Sequence, residues 1–183
     1  MSSFISEDDI EQALCTRLSQ PELGWKRITC DPSVEAQDDV SKTGRRNSSE
    51  CILPAVFLNA LERLNPQIDK GILAQVVADF RKNYTGTDMV DTNYKFYNQL
   101  RNGIKKNGKE DFDIVRLIDF DHVDNNDFHC VNQMWIKGRF RYRRPDVLLF
   151  VNGLPVVFIE LKNSTVKIKE AYEKNLVSYR KDI

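Results

Sequence analysis

The stretch RRPDVLLFVNGLPVVFIELKN, Arg143 to Asn163, constrains the fold more than any other part of the chain. Its arms VLLFV and VVFIEL flank Asn152-Gly153, the strongest short-range hairpin signal, and both are apolar at successive positions. Such arms predict a hairpin covered on both faces by helices. The end away from the turn carries Asp146, Glu160 and Lys162. Charges placed there lose solvation unless each is paired, hydrogen-bonded or holding a metal.

Loop length decides whether these three groups meet, because side chains alternate faces and an antiparallel register is constant. A two-residue Asn152-Gly153 loop pairs Val151 with Leu154 and puts Asp146 on the opposite face from Glu160 and Lys162. A three-residue loop with a left-handed Gly153 pairs Phe150 with Leu154, and Glu160 becomes a diagonal neighbour of Asp146, about 7–8 Å away. A joint site therefore requires an odd loop or an equivalent bulge. Two carboxylates that close repel, and a divalent cation of the magnesium type relieves the repulsion. Such a metal lowers the pKa of bound water, while Lys162 can orient that water or meet developing negative charge. The chemistry implied is metal-assisted phosphodiester hydrolysis, with a merely solvated hairpin end as the alternative on spacing alone.

The rest of the chain bounds this reading. At 183 residues, 41% of them hydrophobic, it fits one globular domain spanning 1–183. Lys+Arg of 27 against Asp+Glu of 27 leaves no net charge, so a polyanion must meet a local patch. Cys15, Cys30, Cys51 and Cys130 form no CxxC pair, and no apolar leader or membrane-length run is present. A reduced, cytoplasmic protein without structural zinc or membrane contact is expected.

Apolar spacing predicts an opening helix over Ser6 to Ser19, helices over Cys51 to Leu64 and Gln67 to Tyr84, and a shorter one from Thr92 to Arg101. Asn102-Gly103 ends the last of these, and strands follow in FDIVRLIDF, FHCVNQMWI and the hairpin. Val166 to Ile183 reads as helix again. The expected fold class is α/β, a mixed β-sheet flanked by helices. Residues 31–50 are turn-rich and almost without apolar side chains, which predicts a mobile surface loop; Arg45 and Arg46 in it could touch phosphate, but a solvated loop is the preferred reading.

The ordered set RPD, apolar strand, NGLP, apolar strand, ELKN resembles the PD-(D/E)xK nuclease core at the N-terminus of the restriction (motor) subunit of type I restriction-modification enzymes. LIDFDHVDNNDF, VNQM and ALERLNP extend the likeness from about Cys51 onward. The resemblance implies that Asp146 and Glu160 bind Mg2+ and that Lys162 is the catalytic lysine. It also implies a glutamate from the opening helix, with Glu11 as candidate and Glu7 as rival. A family element QxxxY is matched by Asn175 and Tyr179, with Asn in place of Gln. The implied partners are double-stranded DNA and the modification and specificity subunits, and ATP would belong to a motor beyond Ile183.

In KGRFRYRR, Lys137, Arg139, Arg141 and Arg143 alternate with Gly138, Phe140 and Tyr142. A single strand there would show a basic face able to lead DNA phosphates toward Asp146. A charged edge strand is the alternative. Asp119, Asp121, Asp124 and Asp127 could suggest a second metal site, but a turn-rich loop is the preferred reading. Two other functions stay open: a stand-alone nuclease of the same superfamily, and a catalytically silent module that binds DNA or a partner.

Overall fold

The computed structural model describes residues 6–31, 40–82, 88–107, 112–138, 140–162 and 177. Helix α1 (Glu7–Leu18) opens with a capping box: the Ser6 hydroxyl accepts from the Asp9 N–H, and the Asp9 carboxylate accepts from the Ser6 N–H. Strand β1 (Lys26–Thr29) follows, a short charged segment that shows no alternation and that sequence periodicity passes over. Helix α2 (Pro54–Leu64) starts on a proline, which suits a first turn where no N–H partner is needed. Helices α3 (Lys70–Phe80) and α4 (Met89–Asn102) are capped by Asp69 and Asp88. The four helical stretches predicted ahead of the strands are thus present, with α3 shorter and α4 beginning ahead of Thr92.

Strands β2 (Ile104–Asn107) and β3 (Phe112–Val115) pair as a separate antiparallel ribbon. FDIVRLIDF is therefore a strand only over its first residues. Strand β4 (Phe128–Asn132) ends where Gln133 turns left-handed, at φ 60°. Strands β5 (Ile136–Lys137) and β6 (Tyr142–Arg143) form a small hairpin, and β7 (Val147–Val151) and β8 (Leu154–Ile159) form the long one. The main sheet has the order β1-β4-β7-β8. Strand β1 runs parallel to β4 and the remaining pairs are antiparallel, so the sheet is mixed, as expected.

The continuous apolar run of β7 is explained by its cover. Val147 and Leu149 pack with Cys15 and Cys130 toward α1, while Leu148 and Phe150 pack with Leu53, Val131 and Met134 on the other face. Phe57, Leu61, Leu73 and Val76 form the core of α2 and α3 together with Leu117 and Leu154. Strand β8 differs from the expectation of two covered faces. It is an edge strand among the described residues, and Val156 and Val157 are 41% and 44% exposed.

The turn between β7 and β8 is the two-residue one: Val151 pairs with Leu154, and Asn152 and Gly153 both have positive φ, 51° and 78°. Asn152 is fully buried, donating to Leu117 O and accepting from the Asp127 N–H. A Cβ on Gly153 would lie 2.6 Å from Leu53 O, so the turn docks backbone to backbone on the start of α2. The expected three-residue loop does not occur, and a bulge further along does its geometric work. Phe150 pairs with Pro155 but Leu149 pairs with Val157, leaving Val156 as the extra residue. Pro155 has no N–H to give the ladder, and a proline inside an edge strand is a bulge signal that turn counting overlooks.

Two further expectations are corrected. Residues 40–50 are not a solvated loop: Arg45, Ser48 and Glu50 are buried, and the Arg45 guanidinium donates to Glu50 O and Trp135 O. The Trp135 carbonyl, supplied from distant sequence, helps fold the arginine in, and no local pattern reveals it. KGRFRYRR is not one strand with a basic and an aromatic face. Its ends pair with each other as β5 and β6, and the Gly138 N–H bonds to Arg141 O across the loop. Residues 31–39 beyond Asp31, Arg139, and Val166 to Ile183 apart from the helical Val177 lie outside the described residues.

Candidate active site

The bulge at Val156 sets the site. Beyond it Val147 pairs with Ile159, and continuing that register by one residue brings Asp146 opposite Glu160. Residues directly opposed across an antiparallel pair project to the same face. Asp146 is locked at the head of β7, where its Oδ2 accepts from the Leu161 N–H at 2.6 Å. Lys162 Nζ lies 3.2 Å from Glu160 Oε1 and donates to Leu161 O at 2.7 Å. The Asp, Glu and Lys predicted from sequence therefore share one end of the hairpin.

Helix α1 closes the site from the side. Glu7 and Glu11 are four apart and share a helix face. The rival Glu7 reaches Lys162, Oε2 to Nζ 3.5 Å. The candidate Glu11 is buried at 3% exposure and accepts from Asn132 Nδ2 at 2.8 Å and from Gln133 Nε2. Gln133 in turn donates its backbone N–H to Asp146 O at 3.0 Å. Both glutamates thus border the hairpin end, one through the lysine and the other through the amides. Asn132 and Gln133 enter the sequence reading only as the NQ of VNQM in the family likeness, with no role attached.

The electrostatics around Lys162 have a clear sign. Desolvation would lower its pKa, but the Glu160 hydrogen bond and the charges of Glu160, Glu7 and Asp146 outweigh that and raise it. The lysine is held as an ammonium. Among the described residues no three His, Cys, Asp or Glu side chains converge to cage a metal ion by themselves.

The remaining sequence candidates fall elsewhere. Arg141 is exposed in the β5–β6 loop and Arg143 is half-buried on β6, opposite Ile136. Arg139, Asn175 and Tyr179 lie outside the described residues. The 119–127 acids form a turn, as preferred: Asp119 accepts from the N–H groups of Asp121 and His122 and from Asn125, and Asp127 pairs with Lys26 and Arg63.

Residues 4–183 match the model of the family described as type I restriction enzyme R protein N terminus. The chain belongs to that family. Among similar proteins, this R-protein N-terminal chain is 38% identical over 166 residues to the type I restriction enzyme HindI endonuclease subunit of Haemophilus influenzae, covering 87% of the chain and 15% of that protein. It is 31% identical over 140 residues to the putative type I restriction enzyme MjaIXP endonuclease subunit of Methanocaldococcus jannaschii, covering 70% of the chain and 13% of that protein. The chain therefore spans about a seventh of the length of these relatives. No helix among the described residues is long and apolar enough to cross a membrane.

Proposed function

We propose that this domain cuts double-stranded DNA endonucleolytically, with Mg2+, as the PD-(D/E)xK nuclease part of a type I restriction enzyme R subunit. The observation that carries the reading is the opposition of Asp146 and Glu160 beside a lysine held charged by three carboxylates. The family match and the names of the relatives favour the restriction setting over a stand-alone nuclease. The modification and specificity subunits and an ATP-driven motor belong to the remainder of such an enzyme.

The donor set suits Mg2+. This ion keeps several waters and needs only one or two protein carboxylates besides substrate phosphate, so Asp146 and Glu160 suffice without a third protein ligand. Bound there, it would lower the pKa of water and neutralise charge on the phosphate. The chain's own residues do the positioning. The Leu161 N–H fixes Asp146 through its Oδ2. Lys162, as an ammonium, donates to phosphate oxygens and meets the charge that develops during attack. Gln133 and Glu11 hold the backbone of Asp146 in place from behind.

The test is cleavage by the complete R subunit assembled with its partner subunits. Asp146→Ala, Glu160→Ala and Lys162→Ala should each abolish cutting while ATP hydrolysis continues, and Asp146→Ala should also remove Mg2+ binding by calorimetry. Cutting at near the normal rate by any of the three would refute the assigned roles.

A further inference from the structure

A second charged feature lies apart from the hairpin end. A cleft of about 450 Å3 opens between the 46–50 turn, the C-terminal end of α3 and the β5–β6 hairpin. Arg46, Arg81 and Lys137 line it, with the Ser48 and Ser49 side chains and Tyr142. Three cations face one carboxylate there, that of Glu50.

Glu50 is an organiser rather than a neutralising partner. It is 2% exposed, and its Oε2 accepts from the Arg46 backbone N–H at 2.9 Å while its Oε1 meets Arg46 Nε at 2.5 Å. Arg81 Nε stands 3.6 Å from the same oxygen, beyond hydrogen-bond range, and has no other partner. One buried acid thus aligns two guanidinium groups and leaves most of their donors for something else. Lys137 stands over the Tyr142 ring at 5.6 Å, and its backbone N–H is tied to Ser48 O at 2.8 Å. The three walls are therefore fastened to one another, which makes the cleft a preorganised anion cradle.

We infer that this cleft binds a backbone phosphate of the DNA through Arg46, Arg81 and Lys137, at a distance from the Asp146–Glu160–Lys162 site. The inference rests on the nuclease reading proposed above. Its position is what favours DNA. Tyr142 in the cleft wall and Asp146 are four residues apart, so their backbones are separated by at most about 14 Å. A duplex advances about 3.4 Å per nucleotide, so one strand running from the hairpin end would carry a phosphate past the cleft within roughly four steps. Among the described residues the lining is mainly cations and polar side chains, which fits contact to the backbone without sequence readout.

The test is equilibrium binding of this chain to a short duplex of arbitrary sequence, measured without Mg2+ over a range of salt. The double variant Arg46→Gln/Lys137→Gln keeps Arg81 against Glu50, and Lys137→Gln alone changes only an exposed side chain. Losing the one phosphate held in the cleft should lower the slope of log affinity against log salt by up to about 0.9, with the double variant showing the larger change. Lys70→Gln, exposed at the N-terminal end of α3, the end opposite Arg81, should leave the slope unchanged. Wild-type affinity and slope in both cleft variants, at wild-type thermal stability, would overturn the cleft assignment alone. A wild type that binds no duplex would instead overturn the nuclease reading. Tighter binding of ATP or inorganic phosphate than of duplex, lost in the double variant, would overturn DNA as the source of the phosphate.

Discussion

The Leu161 N–H donates to Asp146 Oδ2 at 2.6 Å, tying the head of β7 to the chain that leaves β8. In this chain the bond depends on the bulge at Val156, which takes up one unpaired residue between the turn and the end of the hairpin. Were Val156 paired in a regular ladder instead of bulged, the two-residue turn would put the carboxylates of Asp146 and Glu160 on opposite faces of the sheet. The site thus depends on a backbone irregularity well away from it.

Parity can be tested directly. Deleting Val156 removes the bulge but leaves Phe150 with Pro155 and Leu149 with Val157, so Asp146 still opposes Glu160. That variant should retain Mg2+ binding and cleavage. Inserting one alanine after Phe158 turns Glu160 and Lys162 to the other face and should abolish both. Cleavage that survives the insertion, measured on folded protein, would show that the opposition is not needed.

Much of this architecture is legible in the residues, and the rest fails for identifiable reasons. Helices α2 and α3 announce themselves by apolar spacing, and Asn152-Gly153 announces the turn. The bulge was visible only as Pro155, a residue whose missing N–H matters once a strand is paired. Strand β1 owes its pairing to tertiary context, since it is short and gains its partner β4 from distant sequence. Arg45 reads as solvated because the carbonyl of Trp135 that receives it is ninety positions away. At the site, residue types and spacing pointed to Asp146, Glu160 and Lys162, while the choice between Glu7 and Glu11 needed the docking of α1.

The docked turn should be intolerant of side chains. Gly153→Ala forces a Cβ against Leu53 O in a left-handed backbone, which costs about 1–2 kcal/mol for the conformation before any clash is counted. Phe57→Ala, at a fully buried position whose ring meets Phe80 at 5.2 Å, should cost about 3–5 kcal/mol. Both are read as lowered midpoints in urea unfolding. A Gly153→Ala variant as stable as wild type would contradict the observed docking.

Asp127 ties three elements together and gives stability an acid dependence. Burial would raise its carboxyl, but Arg63 and Lys26 outweigh burial and hold the pKa below the ordinary 3.8. A depressed carboxylate contributes stability above its unfolded pKa and loses it as pH falls through the folded value. Asp127→Asn should therefore destabilise by about 1 kcal/mol at neutral pH, with a difference that shrinks below about pH 4. A gap between the two proteins that stays constant down to low pH would remove the ion pairs as its cause.

The state of Lys162 separates two chemical roles. Desolvation acts to lower its pKa, and Glu160, Glu7 and Asp146 overcome that and lift it above the ordinary 10.5. A raised cation contributes stability that is complete below its unfolded pKa and is lost only as pH rises through the folded value. With its carboxylate neighbours unmetallated, the group is therefore an ammonium in the neutral range, placed to donate. Lys162→Met should slow cleavage by about 100–1,000-fold, the usual effect of removing one donor from a developing anion. Lys162→Arg keeps the charge and should recover part of the rate, and neither the wild-type nor the Arg profile should show a lysine ionisation between pH 6 and 9, a range about which a base would titrate. A lysine acting as general base predicts the reverse: an Arg variant as inactive as Met, and a wild-type rate that climbs with pH through a group titrating near neutrality.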